Sequence, residues 1–425
     1  MNKFFSWIEN KMLPPMAKLA EQKHLRAVRD GIISTMPLIM IGSFFVLLVN
    51  FPIPAWTEFI QPYVPSIMLP YRITVGLMAL YASYGMGYSL AKSYELDGVS
   101  GGSLALGTFL MTMTPVIGTA AESGEELGWV LPMNFLGGGG MFTAILTMIL
   151  AVEILRFCKE KNVTIKLPEQ VPDSVARSFE AIIPGMISLT LIWFVCHILK
   201  FNINEAIMKV FEPVVDIAGN TYLGVLIPVL LICLLWSAGV HGVSVIGSIV
   251  RPLWLVLLEQ NITEVANGGV AQNIGTEGFF DLFIWIGGSG GTLALCILFM
   301  MSKSTYMKQI GKLSLIPGIF NINEPIMFGA PIVLNPILAI PFVVAPVVTT
   351  TITYVAMKLD FVAKVSVVTP FAIPAPIKAY LSTNGDWRAI ILVMINLAIY
   401  FIIYYPFVKA YDKKMYAEEM AQEAN

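Results

Sequence analysis

Nine long stretches that are almost free of charged residues constrain what this chain can fold into. They are 31–50, 73–91, 98–121, 127–152, 181–199, 217–250, 282–302, 313–357 and 389–408, and Glu324 is the single Asp, Glu, Lys or Arg inside them. A transmembrane helix needs about 20 mostly apolar residues, so most of the stretches match one span each. The pattern predicts an all-α polytopic membrane protein with about ten transmembrane helices.

Two of the stretches, 217–250 and 313–357, are too long for one span and are interrupted by Pro and Gly. Each can hold a span together with a re-entrant hairpin, so the predicted fold contains two such hairpins. Backbone that leaves the helix at membrane depth must be buried in protein or line a cavity. The second half of the chain is therefore predicted to enclose a site.

Composition excludes several other classes of protein. Charged residues make up 13% of the chain and the net charge is −2, whereas a soluble domain carries roughly 25% charged residues. So few charges do not suit a soluble enzyme, and a near-neutral chain does not favour nucleic acid as a partner. Four scattered Cys predict neither a disulfide scaffold nor a metal site, and no motif predicts a cofactor.

Basic residues predict the orientation in the cytoplasmic membrane. Lys and Arg precede the first span and recur in 156–180, in 303–312 and after residue 408, whereas the loop around Glu122, Glu125 and Glu126 has none. Cytoplasmic loops carry the excess of Lys and Arg. This multi-pass protein is therefore predicted to have both termini in the cytoplasm.

A change in composition near 156–180 precedes a predicted boundary between two halves of the chain, which lies at a connecting helix. Residues 1–200 form a predicted N-terminal transmembrane half, and 201–218 form a connecting helix at the membrane interface because apolar residues recur there at helical spacing. Residues 219–410 form a predicted C-terminal transmembrane half. Residues 411–425 form a cytoplasmic tail.

Glu324 is the strongest candidate functional residue. A carboxylate inside an apolar stretch costs several kcal/mol unless it faces a polar cavity. Asn321 and Asn323 precede Glu324 and Pro325 follows it, which predicts a hairpin tip or a broken helix. The alternative is a buried Glu that is neutralised by protonation or by a basic neighbour.

His241 lies in a second charge-free segment, Trp236-Ser-Ala-Gly-Val-His241-Gly. Gly239 and Gly242 predict a tight turn that brings Trp236 to the same cavity, where an indole can stack on a sugar ring. The alternatives are a hydrogen-bonded core His and a Trp of the interface belt. Arg251 follows the segment and is interpreted as an anchor at the end of a span.

Four segments together resemble one known family. The segments Asn321-Ile-Asn-Glu-Pro-Ile-Met-Phe-Gly329, Val171-Pro-Asp-Ser-Val-Ala-Arg-Ser-Phe179, Trp236-Ser-Ala-Gly-Val-His241-Gly and Gly385-Asp-Trp-Arg388 are similar to the membrane IIC components of bacterial sugar phosphotransferase systems, in the lactose/cellobiose/diacetylchitobiose group. The resemblance covers nearly the whole chain. It implies a homodimer that forms through the N-terminal half, and a C-terminal half with two re-entrant hairpins around a β-linked disaccharide.

The resemblance also implies roles for individual residues. Glu324, Asn323, His241 and Trp236 match the positions that contact the sugar in that family. We further predict catalytic roles for Glu324 and His241, with Glu324 as a base for the sugar hydroxyl. Phe371 stands where the family usually has a second sugar-facing Trp. The partners implied are a cytoplasmic IIB protein, which phosphorylates the sugar from a phosphocysteine, and a IIA protein.

Two other functions remain open at this stage. One is a proton-coupled secondary sugar transporter in which Glu324 titrates. The other is a membrane sensor that transports nothing. Whether the chain counts as an enzyme is open too, because the phosphoryl donor of the implied reaction lies on another protein.

Overall fold

The computed structural model describes residues 22–49, 53–120, 124–165, 167–168, 170–266, 268–330, 332, 335–369 and 373–423. The described chain is mostly helical and divides into two compact units. The first unit comprises Glu21–Gly42 and Met68–Val214, and the second comprises Ser43–Ile67 and Val215–Asn425. The boundaries near residues 42 and 214 both fall inside helices.

Eighteen α-helices are assigned in the described residues. They are α1 Lys23–Val49, α2 Pro54–Ile60, α3 Val64–Ile67, α4 Leu69–Thr74, α5 Met78–Ser93, α6 Gly98–Leu110, α7 Met141–Glu160, α8 Asp173–Glu180, α9 Ile182–Trp193, α10 Ile203–Asn220, α11 Tyr222–Ser237, α12 Gly242–Ala266, α13 Thr292–Met300, α14 Thr305–Ile319, α15 Glu324–Gly329, α16 Pro336–Lys358, α17 Ala375–Ser382 and α18 Trp387–Glu423. Short 3₁₀ and π segments join or extend several of them, including the π-helical turn Phe279–Ile284 that precedes α13.

The long apolar helices confirm a multi-pass membrane architecture. In the described part of the chain, six helical segments are long and apolar enough to cross a bilayer: Lys23–Val46, Glu58–Ser93, Gly138–Glu160, Val175–Ile198, Ile337–Lys358 and Trp387–Gln422. The pair α10 and α11, which is bent by 75°, raises the number to seven. Other charge-free stretches fold into shorter helices, such as Gly98–Leu110, so the figure of about ten spans stays a prediction.

The acidic loop contains the one departure from an all-α fold that the described residues show. Strands β1 (Val116–Thr119) and β2 (Glu126–Val130) pair antiparallel, with Val116 opposite Val130 and Ile117 opposite Trp129. β-Branched and aromatic residues favour strands, and these residues were assigned to spans and a loop from their lack of charge alone. The all-α prediction is therefore wrong for this segment.

A helix, α10, occupies the region of the predicted connecting helix. It runs from Ile203 to Asn220, close to the predicted 201–218, and its residues alternate between apolar and polar faces. The Thr221 side chain accepts a hydrogen bond from the Gly224 N–H (3.0 Å) and thereby caps α11 at the bend. The unit boundary near residue 214 falls inside this helix. The predicted limits of the two halves stay a prediction.

Two ion pairs inside the second unit were not predicted. The Lys378 ammonium, whose side chain is 2% exposed, pairs with Asp281, and the Arg251 guanidinium pairs with Glu277. Arg251 lies within α12, and its interpretation as an anchor at the end of a span stays a prediction. The Lys378 pair joins α17 to the turn Phe279–Ile284, two segments that lie 97 residues apart in sequence.

Removing one partner of the buried pair tests its contribution to stability. Breaking a buried ion pair leaves an uncompensated charge and costs about 3–5 kcal/mol, so Lys378→Met should lower the thermal unfolding temperature in detergent markedly. The matched control is Lys414→Met, because the side chains of Lys414 and its partner Glu418 are 59% and 52% exposed, and exposed pairs contribute about 0–1 kcal/mol. Equal shifts for the two variants would contradict a stabilising role for the Lys378–Asp281 pair.

Candidate functional site

Glu324 begins a short helix at the tip of a helical hairpin. Helix α14 ends where Asn321 takes a left-handed conformation (φ 63°), and the Ile322 N–H donates to the Pro317 carbonyl at 2.9 Å. Helix α15 then starts at Glu324, with Pro325 in its first turn, where a missing N–H has no cost. The Tyr306 hydroxyl donates to the Gly329 carbonyl at 2.7 Å, so α15 folds back along α14.

The tip of this hairpin meets a glycine-rich loop, Gly287–Gly291. The Gly287 N–H donates to Asn321 Oδ1 at 3.0 Å, and Asn323 Nδ2 donates to the Ser289 carbonyl at 3.1 Å. Gly288 has a φ of 101°, and an added Cβ there would lie 2.5 Å from the Asn323 side chain. Only glycine allows this approach without strain, so the two Asn side chains and the loop fit each other closely.

Further side chains bind the backbone that leads into and through the glycine loop. They are Asn396 Nδ2 to the Phe283 carbonyl (3.0 Å), Tyr400 OH to the Ile284 carbonyl (2.7 Å), Thr292 Oγ1 to the Gly287 carbonyl (2.6 Å) and Tyr404 OH to the Gly290 carbonyl (2.8 Å). A buried carbonyl without a partner costs free energy comparable to a lost hydrogen bond. The irregular backbone is therefore stabilised by polar side chains of the surrounding helices.

Trp236 and His241 lie side by side at the turn between α11 and α12. Helix α11 ends at Ser237 and Gly239 has a φ of 87°, so the chain reverses and places the two ring centroids 4.4 Å apart. The Ser244 N–H and hydroxyl lie 3.1 and 2.9 Å from His241 Nδ1. Because a backbone N–H donates to Nδ1, the neutral ring carries its proton on Nε2.

Phe328 links the His241 turn to the helix of Glu324. Its ring centroid lies 6.3 Å from that of Trp236, and it follows Glu324 by four residues, so both lie on one face of α15. The structure thus connects His241, through Trp236 and Phe328, to the helix that begins at Glu324. Asn323 joins the same region through the glycine loop.

Exposure differs among these residues in a way that bears on their roles. His241 and Glu324 are exposed, whereas Trp236 and Asn323 are 3% and 6% exposed. Among the described residues, no Lys, Arg or His nitrogen lies within ion-pair distance of the Glu324 carboxylate. The alternative of a buried Glu paired with a basic neighbour therefore has no support in this structure.

Two buried donors lie beside these residues. Trp236 Nε1 and Asn321 Nδ2 have no hydrogen-bond partner among the described residues. An unpaired buried donor costs about 1–3 kcal/mol, so both groups are suited to receive a polar ligand. His241 and Phe328 lie against the Trp236 indole. A ligand is therefore more easily bound by the indole N–H than by stacking on the indole face.

Several site residues were missed or cannot be placed. Asn321, Phe328 and Ser244 were not predicted to contribute, although Asn321 belongs to the same sequence motif as Asn323. Phe371 lies outside the described residues. The described part contains no cluster of three His, Cys, Asp or Glu side chains that could hold a metal ion.

Comparison with known proteins identifies the family. The family model described as "Phosphotransferase system, EIIC" matches residues 29–346. The PTS system cellobiose-specific EIIC component of Geobacillus stearothermophilus is 40% identical over 99% of this chain and 97% of its own length. The lichenan permease IIC component of Bacillus subtilis (strain 168) is 37% identical over 99% of this chain and 96% of its own length.

A solved structure shares the fold. The transporter ChbC, the IIC component from the N,N'-diacetylchitobiose-specific phosphotransferase system, superposes with a TM-score of 0.91 at 38% identity, over 97% of this chain and 99% of that one. The resemblance drawn from the sequence motifs is thereby confirmed. The chain belongs to the EIIC family of membrane permeases of the phosphotransferase system.

Proposed function

We propose that this EIIC protein carries a β-linked disaccharide across the cytoplasmic membrane and presents it to a separate IIB protein for phosphorylation. The observation that carries the proposal is the closure of the Asn321–Glu324 turn on the loop Gly287–Gly291, which leaves an exposed carboxylate at the tip of a hairpin. The similar proteins are named for cellobiose, lichenan and N,N'-diacetylchitobiose. These names support β-linked disaccharides as the substrate class.

Each site residue receives a proposed role from its surroundings. Glu324 accepts hydrogen bonds from sugar hydroxyls, and His241 donates through Nε2 because Ser244 donates to Nδ1. The Trp236 N–H, which is buried without a partner among the described residues, donates to another hydroxyl. Asn323 offers its amide oxygen while its Nδ2 holds the glycine loop. Phe371 remains a proposed stacking residue.

Glu324 also has a proposed part in the phosphoryl transfer. The sugar hydroxyl oxygen bonds to phosphorus as the sulfur–phosphorus bond of the IIB phosphocysteine breaks, and the hydroxyl proton passes to the Glu324 carboxylate. A base within hydrogen-bond reach of the attacking hydroxyl contributes to such a reaction, although positioning supplies much of phosphoryl-transfer catalysis. His241 orients the hydroxyl in the same step.

The arrangement in the membrane completes the proposal. The hairpins of the second unit are re-entrant, about ten helices span the bilayer, both termini are cytoplasmic and the first 200 residues form a homodimer interface. The excess of Lys and Arg in 156–180 and 303–312 supports this orientation through the positive-inside rule. The IIB protein then approaches from the side of the chain termini.

Sugar uptake in paired strains tests the proposed function. Cells that contain the phosphorelay should accumulate phosphorylated disaccharide, and cells lacking the IIA and IIB proteins should accumulate none, because translocation and phosphorylation are coupled. Free sugar accumulating without the relay would favour a proton-coupled transporter. No movement of sugar in either strain would favour a sensor.

Glu324→Gln should abolish or severely reduce phosphorylation-coupled uptake while the protein stays folded. Hydrogen bonds to a charged group contribute about 1.5–3 kcal/mol, so we expect sugar affinity to fall roughly ten- to a hundredfold. Titration calorimetry on purified protein measures the affinity, and Glu205→Gln, at an exposed Glu in the first turn of α10, is the control. Near-normal uptake by the Glu324 variant would overturn its assignment to the site.

His241→Ala should weaken sugar binding about tenfold, because one hydrogen bond and the packing of the imidazole are lost. Ser244→Ala should have a smaller effect in the same direction, since it removes the hydroxyl beside Nδ1. The control is Ile249→Val, a conservative change at a partly exposed position in α12. If all three variants bind sugar equally well, His241 serves the packing of the turn alone.

A further inference from the structure

The open end of the Glu324 hairpin is held by the tail of the last helix. Two carboxylates of α18, Asp412 and Glu419, accept hydrogen bonds from the residues that lead into and begin α14. Asp412 accepts from the N–H groups of Lys303 and Ser304 (both 2.9 Å). Glu419 accepts from Ser304 Oγ (2.7 Å), the Thr305 N–H (3.0 Å) and the Tyr306 N–H (3.0 Å).

These contacts satisfy donors that a helix cannot satisfy itself. The first N–H groups of a helix have no intrahelical partner, and negative charge near that end is favourable. The Ser304 side chain also accepts from the Met307 N–H (3.2 Å). The start of α14 is thus capped by its own Ser304 and fixed to α18 through the two carboxylates.

Tyr306 extends this fixed point to the helix of Glu324. Its backbone N–H is held by Glu419, and its hydroxyl donates to the Gly329 carbonyl at 2.7 Å. Gly329 is the last residue of α15, and Glu324 is the first. Helix α15 has six residues and few internal hydrogen bonds. The bond from the Tyr306 hydroxyl to its last residue therefore contributes strongly to holding the helix in position.

We propose that Tyr306 is a positioning residue for Glu324, with Glu419 as its anchor on the tail of α18. The proposal rests on the proposed function for its effect on sugar, but the position of α15 can be measured without sugar. Loss of the Tyr306 hydroxyl frees the end of α15. The carboxylate at its other end then samples more positions, and sugar affinity falls.

A cavity lies beside the same contacts. It has a volume of about 250 Å³ and is lined by Tyr306, Tyr411, Met415, Glu418, Glu419 and Gln422. The cavity leaves room for the Tyr306 ring to move when its hydroxyl is unbonded. We therefore expect loss of the Tyr306 hydroxyl to free α15 more than loss of the same hydroxyl from a tightly packed Tyr would.

Hydrogen exchange of the full-length protein in detergent, without sugar, tests the positioning of α15. Tyr306→Phe should speed exchange of the amides in 324–330 about three- to tenfold, the range expected for one lost hydrogen bond. Glu419→Gln should speed exchange in both 304–307 and 324–330. The controls are Tyr405→Phe, at an exposed Tyr of α18, and Glu418→Gln, whose side chain is 52% exposed. Unchanged exchange in 324–330 for Tyr306→Phe would overturn the proposal.

Titration calorimetry with cellobiose, lactose, gentiobiose and diacetylchitobiose separates positioning from a merely structural role. Positioning predicts a Kd raised about three- to tenfold for Tyr306→Phe with an unchanged number of binding sites. A structural role predicts fewer active sites at an unchanged Kd, and that result would also overturn the proposal. If the wild-type protein binds none of the sugars, the proposed function fails, whereas the exchange result still decides on Tyr306.

Discussion

The structure of the second unit depends on the requirement that irregular backbone among apolar helices must find hydrogen-bond partners inside the protein. The loop Gly287–Gly291 and the turn that leads into it meet this requirement through Asn321 and Asn323 on one side and through hydroxyl and amide groups of α13 and α18 on others. Each such bond replaces water that an apolar environment does not supply. The loop also fixes the Asn321–Glu324 segment in place. The hydrogen bonds that stabilise the irregular backbone therefore also position Glu324.

Sequence reasoning found the parts of this arrangement that carry a local signal. A lone carboxylate between Asn and Pro marked the break at Glu324, and paired glycines marked the turn at His241. The apolar spacing in 201–218 identified the helix Ile203–Asn220. These features are encoded by residues a few positions apart, so one chain is enough to detect them.

The remaining features depend on distant pairs and left no local signal. The stretch 282–302 looks like an ordinary span in the sequence. Its glycines instead form a loop whose backbone is hydrogen-bonded by the side chains of Asn321 and Asn323. Lys378 and Asp281 pair across 97 residues, and neither lies inside a charge-free stretch. The motif singled out Asn323, but the role of Asn321 emerged only from its contact with Gly287.

A structure with bound cellobiose would test the central claim most directly, because the claim concerns where the sugar lies. We predict sugar hydroxyls within hydrogen-bond distance of the Glu324 carboxylate and of His241, beside the Asn323–Gly288 contact, with the Trp236 N–H bonded to the sugar. Density for the sugar at another place, with Glu324 and His241 free of contact to it, would contradict the account.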